Sequence, residues 1–132
     1  MNLAFNNGQC YEIHAKNIED LWSVVEHGFT IHARPLHPSQ GEEYGRKLSL
    51  TELRELGKQV RETNGYGERC TVFNAPYLLL NGELAGVIFP PMSNTNGSYG
   101  QYSIGLSWED GDFVKPLPVG AVKLIELVKT HL

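Results

Sequence analysis

The residues with chemistry to offer are five histidines, two cysteines and several clustered acids. A bound metal needs three or four ligands converging on one point. His27, His32 and His37 are evenly spaced, but the chain around them changes character. His27 falls at the end of a predicted helix, His32 on a predicted strand and His37 in a loop after Pro35, so the spacing puts no three imidazoles on one face. No Cys-x-x-Cys or His-x-x-x-His pair occurs either. Neither a metal nor a cofactor is expected.

Nucleophilic catalysis lacks a signature as well. There is no Gly-x-Ser-x-Gly elbow. Cys10 and Cys70 fall on predicted strands, where a cysteine acts as a small hydrophobe unless a base or a helix N-terminus activates it. The segments Asn64-Gly65-Tyr66-Gly67 and Asn96-Gly97-Ser98-Tyr99-Gly100 are glycine-rich. Neither follows a strand and opens a helix, the order that cradling a phosphate requires. Glu109-Asp110-Gly111-Asp112 looks like a turn, because a calcium loop runs for twelve residues and ends in Glu. Glu42-Glu43 is a carboxylate pair with no partner marked by spacing.

What remains is a pair of polar loops. The first runs from His32 to Lys47 and supplies Arg34, His37, Tyr44 and Arg46, a mixture suited to polar recognition. The second, Met92–Gly100, supplies Asn94, Asn96 and Tyr99, the adaptable residue types of binding loops. These seven residues are the expected binding surface, and no catalytic residue is expected.

Charge narrows the partners. Eleven Lys+Arg against fifteen Asp+Glu leave a net charge of −4, which argues against a nucleic-acid binder. The bases concentrate between residues 34 and 69, interleaved with acids, which reads as a solvated mixed face. Met1 to Gln9 lacks a basic, apolar leader, and no apolar run approaches the ~20 residues that cross a bilayer. A cytoplasmic protein of bacterial or phage type is therefore expected, without a membrane partner. The expected function is non-enzymatic: a small binding protein that neutralises a protein partner, such as a toxin or a defence enzyme, in the manner of an immunity protein. The alternative is a domain that sequesters a small anionic ligand or nucleotide, with Arg34, Arg46 and Arg69 lining the pocket. A second alternative is an enzyme with a scattered site drawn from His32, His37, Tyr44 and a carboxylate.

The elements that must hold these loops are legible in the pattern. At 132 residues with 41% apolar residues, one α+β domain spanning 1–132 with one core is expected. Asn7-Gly8 and Asn81-Gly82 are strong two-residue hairpin signals, joining Asn2–Asn6 to Gln9–His14 and Tyr77–Leu80 to Glu83–Phe89. Phe29–Ala33 and Gln101–Trp108 alternate as strands with one covered and one wet face. Arg69–Phe73 reads as a further strand, and Phe113–Lys115 as a short return strand. A first helix spans Ile18–His27 behind the N-cap Asn17 and ends at Gly28. A second opens with the capping box Ser49-Leu50-Thr51-Glu52, stapled by Leu48 and Leu53. Gly57 inside it costs about 1 kcal/mol relative to Ala, unless it marks close packing. A third helix covers Val119–Thr130, with Val122, Leu124, Ile125 and Val128 facing the core. The sum is a mainly antiparallel sheet of hairpins with about three helices on one face.

Overall fold

The computed structural model describes residues 1–33, 44–62, 75–91, 101–106, 108–109, 112–113 and 117–131, with residues 59–62, 108–109 and 112–113 given by their backbone. Six strands form one sheet in the order β1-β2-β6-β5-β4-β3: β1 Asn2–Asn6, β2 Gln9–Ala15, β3 Phe29–His32, β4 Tyr77–Leu80, β5 Glu83–Phe89 and β6 Tyr102–Gly105. Every neighbouring pair is antiparallel. The helices are α1 Ile18–Trp22, α2 Leu50–Glu62 and α3 Val119–Thr130. This is the α+β arrangement that the pattern implies.

Both hairpins turn where the Asn-Gly pairs stand. Asn7 and Gly8 take φ of 52° and 79°, and Asn81 and Gly82 take 53° and 81°. Two consecutive left-handed residues define the tight turn whose twist matches the flanking strands. Each hairpin also carries a register shift, between Ala4 and Phe5 and between Leu78 and Leu79.

The register builds two faces. Leu3, Ile13, Ile104 and Ile88 lie in one row across four strands. They join Ile18 and Leu21 of α1, Leu53 of α2, and Ala121, Leu124 and Val128 of α3 in one core, so all three helices cover the same face. The opposite face divides in two. Over β4 and β5 it is apolar, with Tyr77, Leu79, Leu84 and Val87 forming a second cluster against Ala75, Tyr44 and Phe89. Over β2 and β6 it carries Glu12, His14 and Ser103.

Several local expectations are corrected. The first helix is not continuous: α1 stops at Trp22 and a 3₁₀ segment, Ser23–His27, completes it. Ser23 donates its hydroxyl back to the Asp20 carbonyl, and Val24-Val25 is a β-branched pair with poor helix propensity. Gly28, at φ 95°, closes the segment as expected. The polar side of β6 is not wet. Ser103 is 4% exposed and Gly105 is buried, because this central strand lies between β2 and β5, where Ser103 shares its row with His14 and Phe89. Alternation ends at Gly105, and Trp108–Glu109 pairs instead with Asp112–Phe113 as a separate two-stranded ribbon. Val122 is 44% exposed, since the buried stripe of α3 runs through Ala121, Leu124 and Val128 at i, i+3, i+7, whose centre is about 130° of helix rotation away.

The end of the long loop before α2 is bonded to β3. Gly45 donates to the Ala33 carbonyl, Ala33 to the Arg46 carbonyl and Leu48 to the Ile31 carbonyl, at 2.7–2.9 Å. These bonds strap residues 45–48 along the outer edge of β3. The expected strand Arg69–Phe73 and the loop Met92–Gly100 lie outside the described residues. Among the described residues, no helix is long and apolar enough to cross a membrane.

Candidate functional site

A cleft of about 380 Å³ opens where the end of β2, α1, the middle of α2 and the start of β6 meet. That volume falls in the range of small-ligand pockets. Its cationic lining is Lys16, Arg54 and Lys58, and its polar lining includes Asn17 and Gln101.

Each residue is held by a local rule. Asn17 caps α1, its side-chain oxygen accepting from the Asp20 N–H at 2.8 Å. The Asp20 carboxylate accepts in turn from the Lys16 N–H at 3.1 Å, which fixes the backbone that carries Lys16. The capping box starts α2: the Glu52 N–H donates to the Ser49 hydroxyl at 3.2 Å and the Ser49 N–H to the Glu52 carboxylate at 3.1 Å. Arg46 adds an ion pair to Glu52, and these bonds hold the Glu52 carboxyl below its ordinary range. One turn separates Arg54 from Lys58, so both project from one side of α2. Arg54 bonds Glu19 on α1, joining the two helices across the cleft.

Gly57 makes the cleft floor possible. A β-carbon at position 57 would fall far inside the 3.0 Å limit from the Tyr102 hydroxyl and 3.2 Å from the ring carbon that bears it. The glycine inside α2 therefore marks close packing, and Tyr102 lies where a side chain would have stood.

The electrostatics follow from the inventory. Three cations face the cleft, and among the described residues one of them, Arg54, has a carboxylate partner. Lys16 and Lys58 are exposed lysines whose charge a bound anion would offset.

Of the seven expected binding residues, Tyr44 and Arg46 are among the described residues. Arg46 lies on the strap along β3 and pairs with Glu52, and Tyr44, just before the strap, packs edge-on against Tyr77 at 5.0 Å between ring centroids. Arg34, His37, Asn94, Asn96 and Tyr99 lie outside the described residues, as do Arg69 and Cys70. His32 bonds the Gly45 carbonyl through Nδ1 at 3.0 Å and the Thr30 hydroxyl through Nε2 at 2.9 Å. A carbonyl only accepts, so Nδ1 carries a proton and the ring serves to hold the strap. Cys10 is 5% exposed, its thiol donates to the Glu12 carbonyl, and burial pushes its pKa up, away from thiolate chemistry. On the face away from the helices, His14 Nε2 lies 2.8 Å from the Glu12 carboxylate, beside Ser103. Among the described residues no three metal-ligating side chains gather.

The cleft residues escaped the sequence reading because they are distant along the chain. The signal that was present is the Arg54–Lys58 spacing, two bases one helical turn apart on a helix with a clear start. Comparison with protein families, with curated proteins and with solved structures finds no match to this chain.

Proposed function

We propose that the chain is a non-catalytic binding domain that takes a small anionic ligand in the cleft between α1, α2 and β6. One observation carries this reading: Lys16, Arg54 and Lys58 converge on one cavity from two separate parts of the chain. The cavity is concave, large enough for a phosphate-bearing small molecule, and floored by the Tyr102 ring. Arg54 offers a planar fork for a phosphate or carboxylate, and the two lysines offer point charges.

Thermal-shift measurements with pyrophosphate, nucleoside phosphates and citrate test it. A ligand present at 100 times its dissociation constant adds roughly 2.7 kcal/mol to stability. At least one of these anions is expected to raise the unfolding midpoint, with a shift that weakens as salt rises. The double variant Lys16→Glu, Lys58→Glu is expected to lose the shift. If no anion moves the wild type, or the double variant responds equally, the reading fails.

A second reading, inhibition of a protein partner, draws on the exposed Val119 and Val122 of α3, at 63% and 44% exposure, and on the net charge of −4. Exposed apolar residues rimmed by charge are a common form of docking patch. A partner that co-purifies with the wild type and is released by Val119→Asp, Val122→Asp would favour this reading over the first.

A further inference from the structure

The two edges of the sheet are treated differently. The edge at β3 is occupied by the strap of residues 45–48. The edge at β1 has, among the described residues, nothing paired to its outer side. Open edges usually carry charges or proline, which deter pairing with other chains. β1 reads Asn-Leu-Ala-Phe-Asn, with neither, and Phe5 on it is 55% exposed. The register shift beside it does not break this edge, because the extra residue, Tyr11, belongs to β2.

We propose that two copies of the chain pair through β1, antiparallel about a two-fold axis at Ala4. The residues flanking a two-residue hairpin turn, here Asn6 and Gln9, exchange both backbone bonds. Alternation from Asn6 then turns the N–H and C=O of Leu3 and Phe5 outward. In the two-fold register Leu3 faces the partner's Phe5, so these outward groups meet in about four hydrogen bonds. Ala4 faces its own copy as the close, unbonded pair, where a small side chain is needed. Asn2 faces the partner's Asn6, so amide meets amide. The strand therefore reads nearly the same in both directions and is complementary to itself. No charge on β1 opposes the approach, and Leu3 and Phe5 form a cross-strand apolar pair on the helix-covered face. A self-matched patch is what an isologous dimer requires. The occupant is a second copy, since the match is between β1 and itself. A paired edge of five residues is small, so the association is weak and concentration-dependent.

Sedimentation velocity over a concentration series tests it. The mass is expected to rise from 14.7 kDa toward twice that value. Phe5→Pro removes one outward N–H without touching the β1–β2 ladder and is expected to stay monomeric with an unchanged circular dichroism spectrum. A pair of double variants reads the register and decides the matter should the proline disturb folding. Asn2→Lys, Asn6→Lys sets like charges opposite each other and should abolish the dimer. Asn2→Lys, Asn6→Glu sets opposite charges there and should retain or strengthen it. A wild type that remains at 14.7 kDa throughout, a folded Phe5→Pro that still dimerises, or two double variants that behave alike would each overturn the proposal.

Discussion

Gly57→Ala separates packing from propensity. In an exposed helix interior this exchange stabilises by about 1 kcal/mol, because glycine loses more backbone freedom on folding. Here the new methyl meets the Tyr102 hydroxyl, whose ring is 7% exposed and packed in the core. The ring must withdraw by about 1 Å, and overpacking of this kind costs about 1–3 kcal/mol. The net effect is a loss of up to about 2 kcal/mol in place of a gain of about 1. At roughly 4 °C per kcal/mol for a chain of this size, the midpoint should fall by up to about 8 °C. Urea unfolding monitored by circular dichroism measures the change. Tyr102→Phe in the same chain deletes the clashing oxygen, so the double variant should recover much of the loss, and a double-mutant cycle should show strong coupling. A Gly57→Ala protein that is more stable than wild type would refute the reasoning, because it would mean that the ring yields freely.

Other expectations follow from single contacts. The Glu52 carboxyl is held below its ordinary 4.5 by Arg46 and by the Ser49 N–H. A depressed carboxyl contributes stability that is fully present above pH 4.5 and lost as pH falls through the lowered value. Glu52→Gln should flatten the acid limb of the stability curve below pH 4.5 in denaturant titrations; equal slopes in the two proteins would exclude this account. Ser49→Ala removes the cap acceptor and should cost about 1 kcal/mol by urea unfolding. In a Cys70→Ser background, Cys10 should react with a thiol reagent at pH 8 at the rate of global opening, and fast labelling of the native state would contradict its raised pKa and burial. His32→Ala removes the ring that bonds the strap and should increase amide exchange at Gly45 and Leu48, while the β1–β2 ladder keeps its protection.

The parts of this fold that could be read from sequence are those fixed by near neighbours. Asn7-Gly8 and Asn81-Gly82 specify their turns because few other residues accept two consecutive positive φ values. Ser49 and Glu52 specify a helix start because each satisfies a backbone N–H of the other. Alternation on β3 placed Phe29 and Ile31 inward. It misled at Ser103, where polarity suggests water and the position in a central strand excludes it. The apolar pattern of α3 misled at Val122, since a list of apolar residues does not say which rotation of the helix meets the sheet. The candidate site was the least legible. Arg54 and Lys58 are visibly one turn apart, yet nothing local brings Lys16 or Tyr102 to them. That meeting depends on β2 pairing with β6 and on Glu19 reaching Arg54.

The strap along β3 has a consequence for solution behaviour. A sheet with two bare margins can add subunits without end and grow into fibres. This chain covers the Ile31–Ala33 stretch of one margin with its own residues 45–48, which disfavours addition there and favours a pair over a growing row of subunits. Residues 45–48 thus oppose growth at this margin, and His32 helps them to do so by bonding the Gly45 carbonyl. Loosening that fastening is therefore expected to turn a finite assembly into a propagating one, visible as light scattering and thioflavin binding at concentrations where the wild type stays clear.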